Sequence, residues 1–467
     1  MKTKASSFSL SLIVGAAFFM EQLDSTIIAP AVPEIARSLR VSPLSLDLSM
    51  TVYLLCSVVF ITVSGILAGR YGTRTIFRAA LLLFVASSAL CGFAGSMGVL
   101  VAARAVQGFS GALMVPVGRI AIVRTTPRAA LVDALAWMIT PAMLGPLLGP
   151  PLGGVISTIV SWRWIFWLNV PIGLAGYALA KRLMPQVVDR DETRVAVQEW
   201  LSLSVALTAL IALLELVRRP TLPVSLVALA VVVLAGAAWL YARAARRSAV
   251  PLLDFGLLKV ETFRVSFVAG SLVRIGYGAV PFLLPLMLQV GLGFSAIGSG
   301  AVMLVSGAVA LVTKTQTTTL LRRFGFRSVL IVNGLLCAVA LIVCAAFRSG
   351  WGIGAIAGVV AAGGFARSVQ FNALAAIAYA DLPPHKVSPA TTLNTAAQQL
   401  AVMVGISVAV MVVDFSSRLA SRAQPAAGDF ASAFMLVGVV ALLAVPFCWW
   451  LSSHAGLELS GRPSRSQ

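Results

Sequence analysis

The chain has 467 residues, 59% of them apolar and only 11% charged, where an ordinary soluble domain is roughly 25% charged. Its net charge of +19 is spread over short polar breaks and not gathered on one face, which argues against a nucleic-acid binder. Apolar stretches of about 20 residues recur along the whole length and leave no gap for a soluble domain, so the composition describes an all-α, polytopic membrane protein.

Hydropathy predicts fourteen spans. The first six fall at 8–32, 46–69, 76–95, 97–121, 131–158 and 162–183. A polar segment, 185–197, carrying Asp189, Arg190, Asp191, Glu192 and Arg194, closes them. Two plain apolar helices follow at 198–217 and 222–243, then a basic break at Arg243, Arg246 and Arg247. The last six are predicted at 262–289, 294–318, 327–347, 351–379, 390–414 and 430–453. The expected organisation is therefore a six-helix bundle over 1–184, a linker with two additional helices over 185–250, and a second six-helix bundle over 251–467.

Residues 2–20 have the outline of a signal peptide: Lys2 and Lys4 precede an apolar run, with Ala29-Pro30-Ala31 beyond it. Glu21 and Asp24 interrupt the approach to that site, so a retained first helix is expected. Basic residues alternate between loops. Arg70, Arg74 and Arg78, then Arg124 and Arg128, then Arg322, Arg323 and Arg327 fall on the same side of a fourteen-span topology, which places that side and both termini in the cytoplasm. Cys56, Cys91, Cys337, Cys344 and Cys448 all lie in predicted spans and read as buried free thiols. The two histidines, His385 and His454, lie in or near loops. The sequence shows no phosphate loop, metal cluster or nucleophile–base constellation, so neither an enzyme nor a cofactor is expected.

Arg104 and Arg367 each sit inside a long apolar segment and within the same pattern, Ala-Arg-x-Val-Gln, at 103–107 and 366–370. A charge in the hydrocarbon layer is costly and usually faces a bundle interior or a water-filled cavity. Arg70-Tyr-Gly-Thr-Arg74 recurs as Arg323-Phe-Gly-Phe-Arg327 in the same order and at a similar offset. Together the two matches point to a duplicated bundle, a plan of secondary transporters in which the substrate path runs between the halves.

Helix 1 carries Glu21 and Asp24, three apart and so on one face. A carboxyl there either exchanges protons and attracts a cationic ligand, with Asp24 the first choice for proton exchange, or forms a static ion pair with Arg104 or Arg274. Arg274 follows Glu21 at the offset of the loop repeat. Arg119 and Lys314 lie near span ends, where snorkelling is the default. In helix 5, residues 145–154 place Gly145, Gly149 and Gly153 on one face beside Pro146, Pro150 and Pro151, with Gly154 following; this is either a bent, smooth helix for rocking bundles or a packing seam. Gly65, Arg70, Gly72 and Arg74 close helix 2 and open a basic loop, readable as a gating element or a topology anchor. Tyr53, Gln107, Trp137, Met138, Tyr277, Gln289, Gln370 and Asn372 are candidates for lining a largely apolar cavity with few polar anchors.

These residues resemble the major facilitator superfamily, and within it the fourteen-helix drug:proton antiporters of the EmrB/QacA type, over essentially the whole chain. Leu23-Asp24-Ser25-Thr26-Ile27-Ile28 is similar to the family's helix 1 motif, 65–77 to its loop motif, and Leu100, Arg104, Gln107 and Gly108 to its helix 4 motif. Residues 145–154 resemble its helix 5 antiporter motif, and Trp162-Arg163-Trp164-Ile165-Phe166-Trp167-Leu168-Asn169-Val170-Pro171-Ile172-Gly173 the signature that follows it. Met114-Val115-Pro116-Val117-Gly118-Arg119 and Arg274-Ile275-Gly276 are similar to stretches of one multidrug branch. The resemblance implies that Asp24 is the proton- or substrate-linked carboxylate and Arg104 its tuning partner. Two positions depart from the pattern: Gly69 stands where the loop motif has an acid that helps latch the cytoplasmic side, and Ala136 where the extended helix 5 motif has glycine.

The expectation is a proton-coupled exporter of apolar or cationic small molecules, monomeric, in a bacterial inner membrane. The bilayer is its surroundings, and a periplasmic adaptor and outer-membrane channel are candidate partners. A proton symporter on the same fold and a non-transporting membrane sensor are the alternatives.

Overall fold

A computed structural model describes residues 2–127, 130–188, 197–218, 224–248, 251–383, 386–422 and 424–452. Eight of the polar segment's predicted residues, 189–196, together with Arg128, His385 and His454, lie outside the described residues. Contacts divide the chain into two units, Met1–Ala249 and Val250–Gln467.

The first unit contains α1 (Lys2–Ile27), α2 (Asp47–Tyr71), α3 (Thr73–Gly92), α4 (Met97–Thr125), α5 (Leu131–Ile159), α6 (Asn169–Leu183), α7 (Val197–Val217) and α8 (Val224–Ala245). The second contains α9 (Glu261–Leu286), α10 (Ala296–Phe324), α11 (Phe326–Cys344), α12 (Ile353–Ile377), α13 (Val387–Leu419) and α14 (Ala427–Leu442), which runs on into a last turn at Ala444–Trp449. Among the described residues, thirteen helices are long and apolar enough to cross a membrane. The remaining predicted span, the sixth at 162–183, is in two pieces, a turn at Trp164–Trp167 followed by α6. Pro171 explains the break, because it has no N–H to return to the Trp167 carbonyl. The fold is all-helical and multi-pass, as composition requires.

Packing repeats between the units. In the first, α1 lies against α4, α5 and α6, while α4 also takes α2 and α3, and α3 takes α6. In the second, α9 lies against α12, α13 and α14, α12 takes α10 and α11, and α11 takes α14. The loop repeat is equally regular in its backbone: Gly72 has φ 87 and ψ 146, and Gly325 has φ 79 and ψ 162. That region is open in practice to glycine alone, so each marks a turn that a side chain would strain. The two extra helices belong to the first unit. Trp200 on α7 donates its indole N–H to the Val59 carbonyl of α2 at 3.0 Å, and α8 packs on α7.

Burial follows membrane logic. The first unit's core gathers Val14, Met20, Phe77, Phe84, Met114 and Val117. Leu82, Leu90, Val232, Trp239, Val332, Val339 and Trp450 point outward, the arrangement of a surface solvated by lipid. The five cysteines are free thiols, four buried and Cys56 half-buried.

Candidate functional site

Inside the first unit, five helices converge on Asp24. Ser25 and Thr26 turn their hydroxyls back to the Gln22 carbonyl at 2.9 Å each, so α1 satisfies its small polar groups internally and the carboxylate is left to seek partners elsewhere. Arg104 of α4 donates to Asp24 Oδ2, forming an ion pair with both side chains out of contact with solvent. Asp24 Oδ1 accepts from Asn169 Nδ2 of α6 at 2.8 Å and from Gln107 Nε2 of α4 at 3.2 Å. Arg104 also donates to Gln107 Oε1 at 2.8 Å, which accepts the Cys91 thiol of α3 at 3.4 Å. The network continues through Ser88, which accepts from Asn169 at 3.1 Å and donates to the Phe166 carbonyl at 2.9 Å. On its other side the Arg104 guanidinium lies over the Tyr53 ring of α2, 4.3 Å from the centroid. A buried charge is tolerable only when paired and hydrogen-bonded, and this pair is both.

Glu21 stands apart from that network. Its Oε2 is buried without a hydrogen-bond partner among the described residues, and so is the Tyr53 hydroxyl. Both groups flank Gly111, where a Cβ would sit 3.3 Å from the Tyr53 hydroxyl and 3.4 Å from Glu21 Oε1. Of the two ion pairs open to the helix 1 acids, the first unit contains Asp24–Arg104, and among the described residues Glu21 makes none.

The helix 5 motif lies immediately behind these acids. α5 remains one helix through Pro141, Pro146, Pro150 and Pro151. Its glycine ridge faces α1 inside the unit: a Cβ on Gly145 would be 2.7 Å from Gln22 Cβ, and one on Gly153 would overlap the Ile27 carbonyl. Gly149 meets Thr26, whose hydroxyl also reaches the Gly145 carbonyl at 3.3 Å. The loop motif is tied to the chain after α6. Arg74 donates to the Met184 carbonyl at 2.5 Å, Thr73 to the Pro185 carbonyl at 2.9 Å, and Gln186 to the Tyr71 carbonyl at 3.1 Å. Arg70 stacks on Tyr71, and Gly65 has open space up to Ile120.

The second unit repeats the layout with different chemistry. Tyr277, 253 positions after Asp24, donates its hydroxyl to the Cys337 carbonyl at 3.2 Å. It shares a cavity of about 30 Å³, room for about one water, with Arg367, Ser306 and Gly363. Arg274 lies 4.7 Å from the Phe371 centroid and returns a hydrogen bond to the Gly270 carbonyl at 3.2 Å. Among the described residues no carboxylate pairs with Arg274 or Arg367. Gln370 mirrors Gln107 in place but bonds to Asn333 and the Leu330 carbonyl, and Asn372 donates to Ser368 at 3.4 Å. Of the remaining candidates, Met138 is buried in the first unit's core, Trp137 is 48% exposed with Phe8 against its edge, and Gln289 lies half-buried in the π-turn after α9. Asn169, Ser88 and Gly111 were not among the residues singled out for the site. Asn169 had a signal, an amide inside the run Trp162–Gly173 at membrane depth; Ser88 and Gly111 had none.

Residues 14–258 match the Major Facilitator Superfamily. The chain is 32% identical over 438 residues to the "Putative multidrug resistance protein MdtD" of Pectobacterium atrosepticum, covering 93% of each, and 32% identical over 404 residues to the protein of the same name from Salmonella typhimurium, covering 86% of this chain and 85% of that one. These are the branch that Met114–Arg119 and Arg274–Gly276 resemble. Among solved structures, a D-xylose-proton symporter superposes with a TM-score of 0.66 at 16% identity, covering 96% of this chain and 99% of that one. The human organic anion transporter MFSD10 (TETRAN) superposes with 0.62 at 14% identity, covering 95% and 99%. At such identities the likeness is one of fold.

Proposed function

Since the chain belongs to the major facilitator superfamily and is a multi-pass membrane transporter, not an enzyme, we propose that it exports apolar or cationic small molecules from a bacterial cytoplasm across the inner membrane in exchange for protons. The observation that carries this reading is the buried Asp24–Arg104 pair with its neighbour Glu21: two acids and one base at membrane depth, in a family that moves small molecules. The resemblance to multidrug resistance relatives and the glycine ridge of α5 favour export over uptake. The excess of Lys and Arg on alternate loops supports cytoplasmic termini. No bound group beyond the proton is needed for such a cycle. The chain acts as a monomer, and a periplasmic adaptor with an outer-membrane channel would extend its path.

In the proposed cycle of alternating access, protonation of the α1 acids from outside releases substrate, and loss of that proton to the cytoplasm re-arms the site. The test is efflux of ethidium from proteoliposomes under an imposed proton gradient. Efflux should follow the gradient, collapse with a protonophore, and fail in an Asp24→Asn variant that still inserts. Ethidium movement indifferent to the gradient would refute proton exchange.

A further inference from the structure

We infer that Glu21, with the Tyr53 hydroxyl, forms the site at which a substrate's cationic group replaces a proton, and that Asp24 is a positioning residue that holds Arg104. The inference deepens the exporter reading and rests on it.

The first observation is saturation. Asp24 has no exposure and accepts from Arg104, Gln107 and Asn169. A ligand cation reaching Asp24 would have to displace a guanidinium that is itself held by Gln107 and stacked on Tyr53. Nothing in that arrangement leaves an oxygen free for exchange.

The second observation is vacancy in the hydrogen bonding of Glu21. The residue is half-buried, Oε2 has no partner among the described residues, and the nearby Tyr53 hydroxyl has none either. Buried polar atoms are nearly always satisfied, so two unsatisfied atoms flanking one glycine call for an occupant. Gly111 keeps the space between them clear of a side chain. A carboxylate and a phenol oxygen side by side present acceptors to a protonated amine, or a negative field to a lipophilic cation.

The third observation is charge. The titratable groups that act on Glu21 are Asp24 on its own helix and Tyr53 on α2, while Arg104 on α4 and Cys91 on α3 face Asp24. α5 is in register with α1 through Trp137 beside Gly15 and Gly145 beside Gln22, which places its acid, Asp133, more than a turn away from Glu21. α6 contributes neutral Asn169 here, and its Tyr177 is two turns further on, engaged with Arg78. Two carboxyls and one guanidinium leave one negative charge in excess when both acids are ionised. In a membrane interior that excess is costly. One proton on Glu21 removes it, and so does one substrate cation. The two are mutually exclusive on the same oxygens, which is the stoichiometric condition for exchange.

The experiment is proton release from purified full-length protein in weakly buffered detergent on addition of tetraphenylphosphonium. The wild type should release close to one proton per bound cation. Glu21→Gln should bind at least ten-fold more weakly and release none, while unfolding at the wild-type temperature, because no hydrogen bond is lost from Oε2. Glu21→Asp, which keeps a carboxyl, should still release a proton. If Glu21→Gln releases a proton like the wild type, or if the wild type binds without release, the assignment to Glu21 is overturned. Gradient-driven ethidium efflux by the same wild type would then leave the exporter reading standing, whereas its absence would overturn both.

Discussion

Asn169, the first residue of α6, donates its side-chain amide to Asp24 at 2.8 Å and to Ser88 at 3.1 Å, so one neutral side chain links α6 to both α1 and α3. The link sits at the break before α6, where Pro171 removes one helical hydrogen bond while Leu168 keeps helical dihedrals. Replacing Asn169 by Leu keeps the volume but leaves Asp24 Oδ1 with Gln107 alone. A buried acceptor deprived of a partner costs about 1–3 kcal/mol. Thermal unfolding of the purified variant should register that loss. An unchanged midpoint would mean that the Asn169 bond contributes nothing net.

The Asp24–Arg104 pair should behave as a unit. Removing either charge strands the other in a dry interior, a loss of about 3–5 kcal/mol, whereas removing both leaves a neutral network. Asp24→Asn and Arg104→Gln should each be strongly destabilised, and the double variant should be more stable than the sum of the two losses predicts. A double-mutant cycle on unfolding measures that coupling directly. Simple additivity would show that the two side chains do not share their stabilisation.

Much of this architecture was readable in the sequence, for identifiable reasons. The spans follow from hydropathy alone, because a helix in lipid needs about 20 apolar residues wherever it sits. The repeat of Arg104 in Arg367, and of Gly72 in Gly325, survives as letters because a buried charge and a positive-φ turn accept few substitutes. The Asp24–Arg104 partnership came from a family resemblance; residues alone left Arg104 and Arg274 as equal partners for the helix 1 acids. The links from Asp24 to Asn169 and from Asn169 to Ser88 could not be assigned, since contacts across 145 and 81 residues are set by helix packing that no local pattern encodes. The contrast between a saturated Asp24 and an unpartnered Glu21 was equally hidden. Two acids three residues apart look alike in a string, and only the neighbours on α2, α4 and α6 separate them.

Gly153 and Gly98 supply a matched test of the α5 seam. A Cβ on Gly153 would overlap the Ile27 carbonyl, a backbone atom that cannot swing aside, whereas one on Gly98, in the first turn of α4, would meet nothing within 4 Å. Gly153→Ala should therefore force α1 and α5 apart and cost roughly 1–3 kcal/mol or more. Gly98→Ala should be neutral or gain a few tenths of a kcal/mol, since alanine favours the helix. Equal unfolding midpoints for the two variants would contradict the close α1–α5 approach.

Gly72 and Gly325 should respond alike to substitution. Both occupy the extended positive-φ region, so alanine at either strains the backbone by about 1–3 kcal/mol. At Gly72 there is an added clash with the Gln186 side chain, which is held by Tyr71 and Thr75. A Gln186→Ala background should therefore recover part of the Gly72→Ala loss. A Gly72→Ala loss untouched by Gln186→Ala would place the whole effect in the backbone.

The inserted helices are attached to the first unit at two levels, and this predicts how they come loose. Near one end of α7, Trp200 bonds the Val59 carbonyl and lies tilted against Phe60, ring centroids 5.6 Å apart. Beyond the other end, Arg218 reaches buried Asp47 at 2.6 Å and Glu215 at 3.0 Å. Asp47→Asn leaves Arg218 its second acid, so the loss is that of one charge-assisted bond, about 1.5–3 kcal/mol. Trp200→Phe keeps the ring contact and loses a neutral hydrogen bond, about 0.5–1.5 kcal/mol. The two sites are separated by most of α7 and share no partner, so their losses should add. A disulfide probe between cysteines placed on the facing sides of α2 and α7 would form more slowly in the double variant than in either single one. An unchanged rate would show that apolar contact alone holds α7 in place.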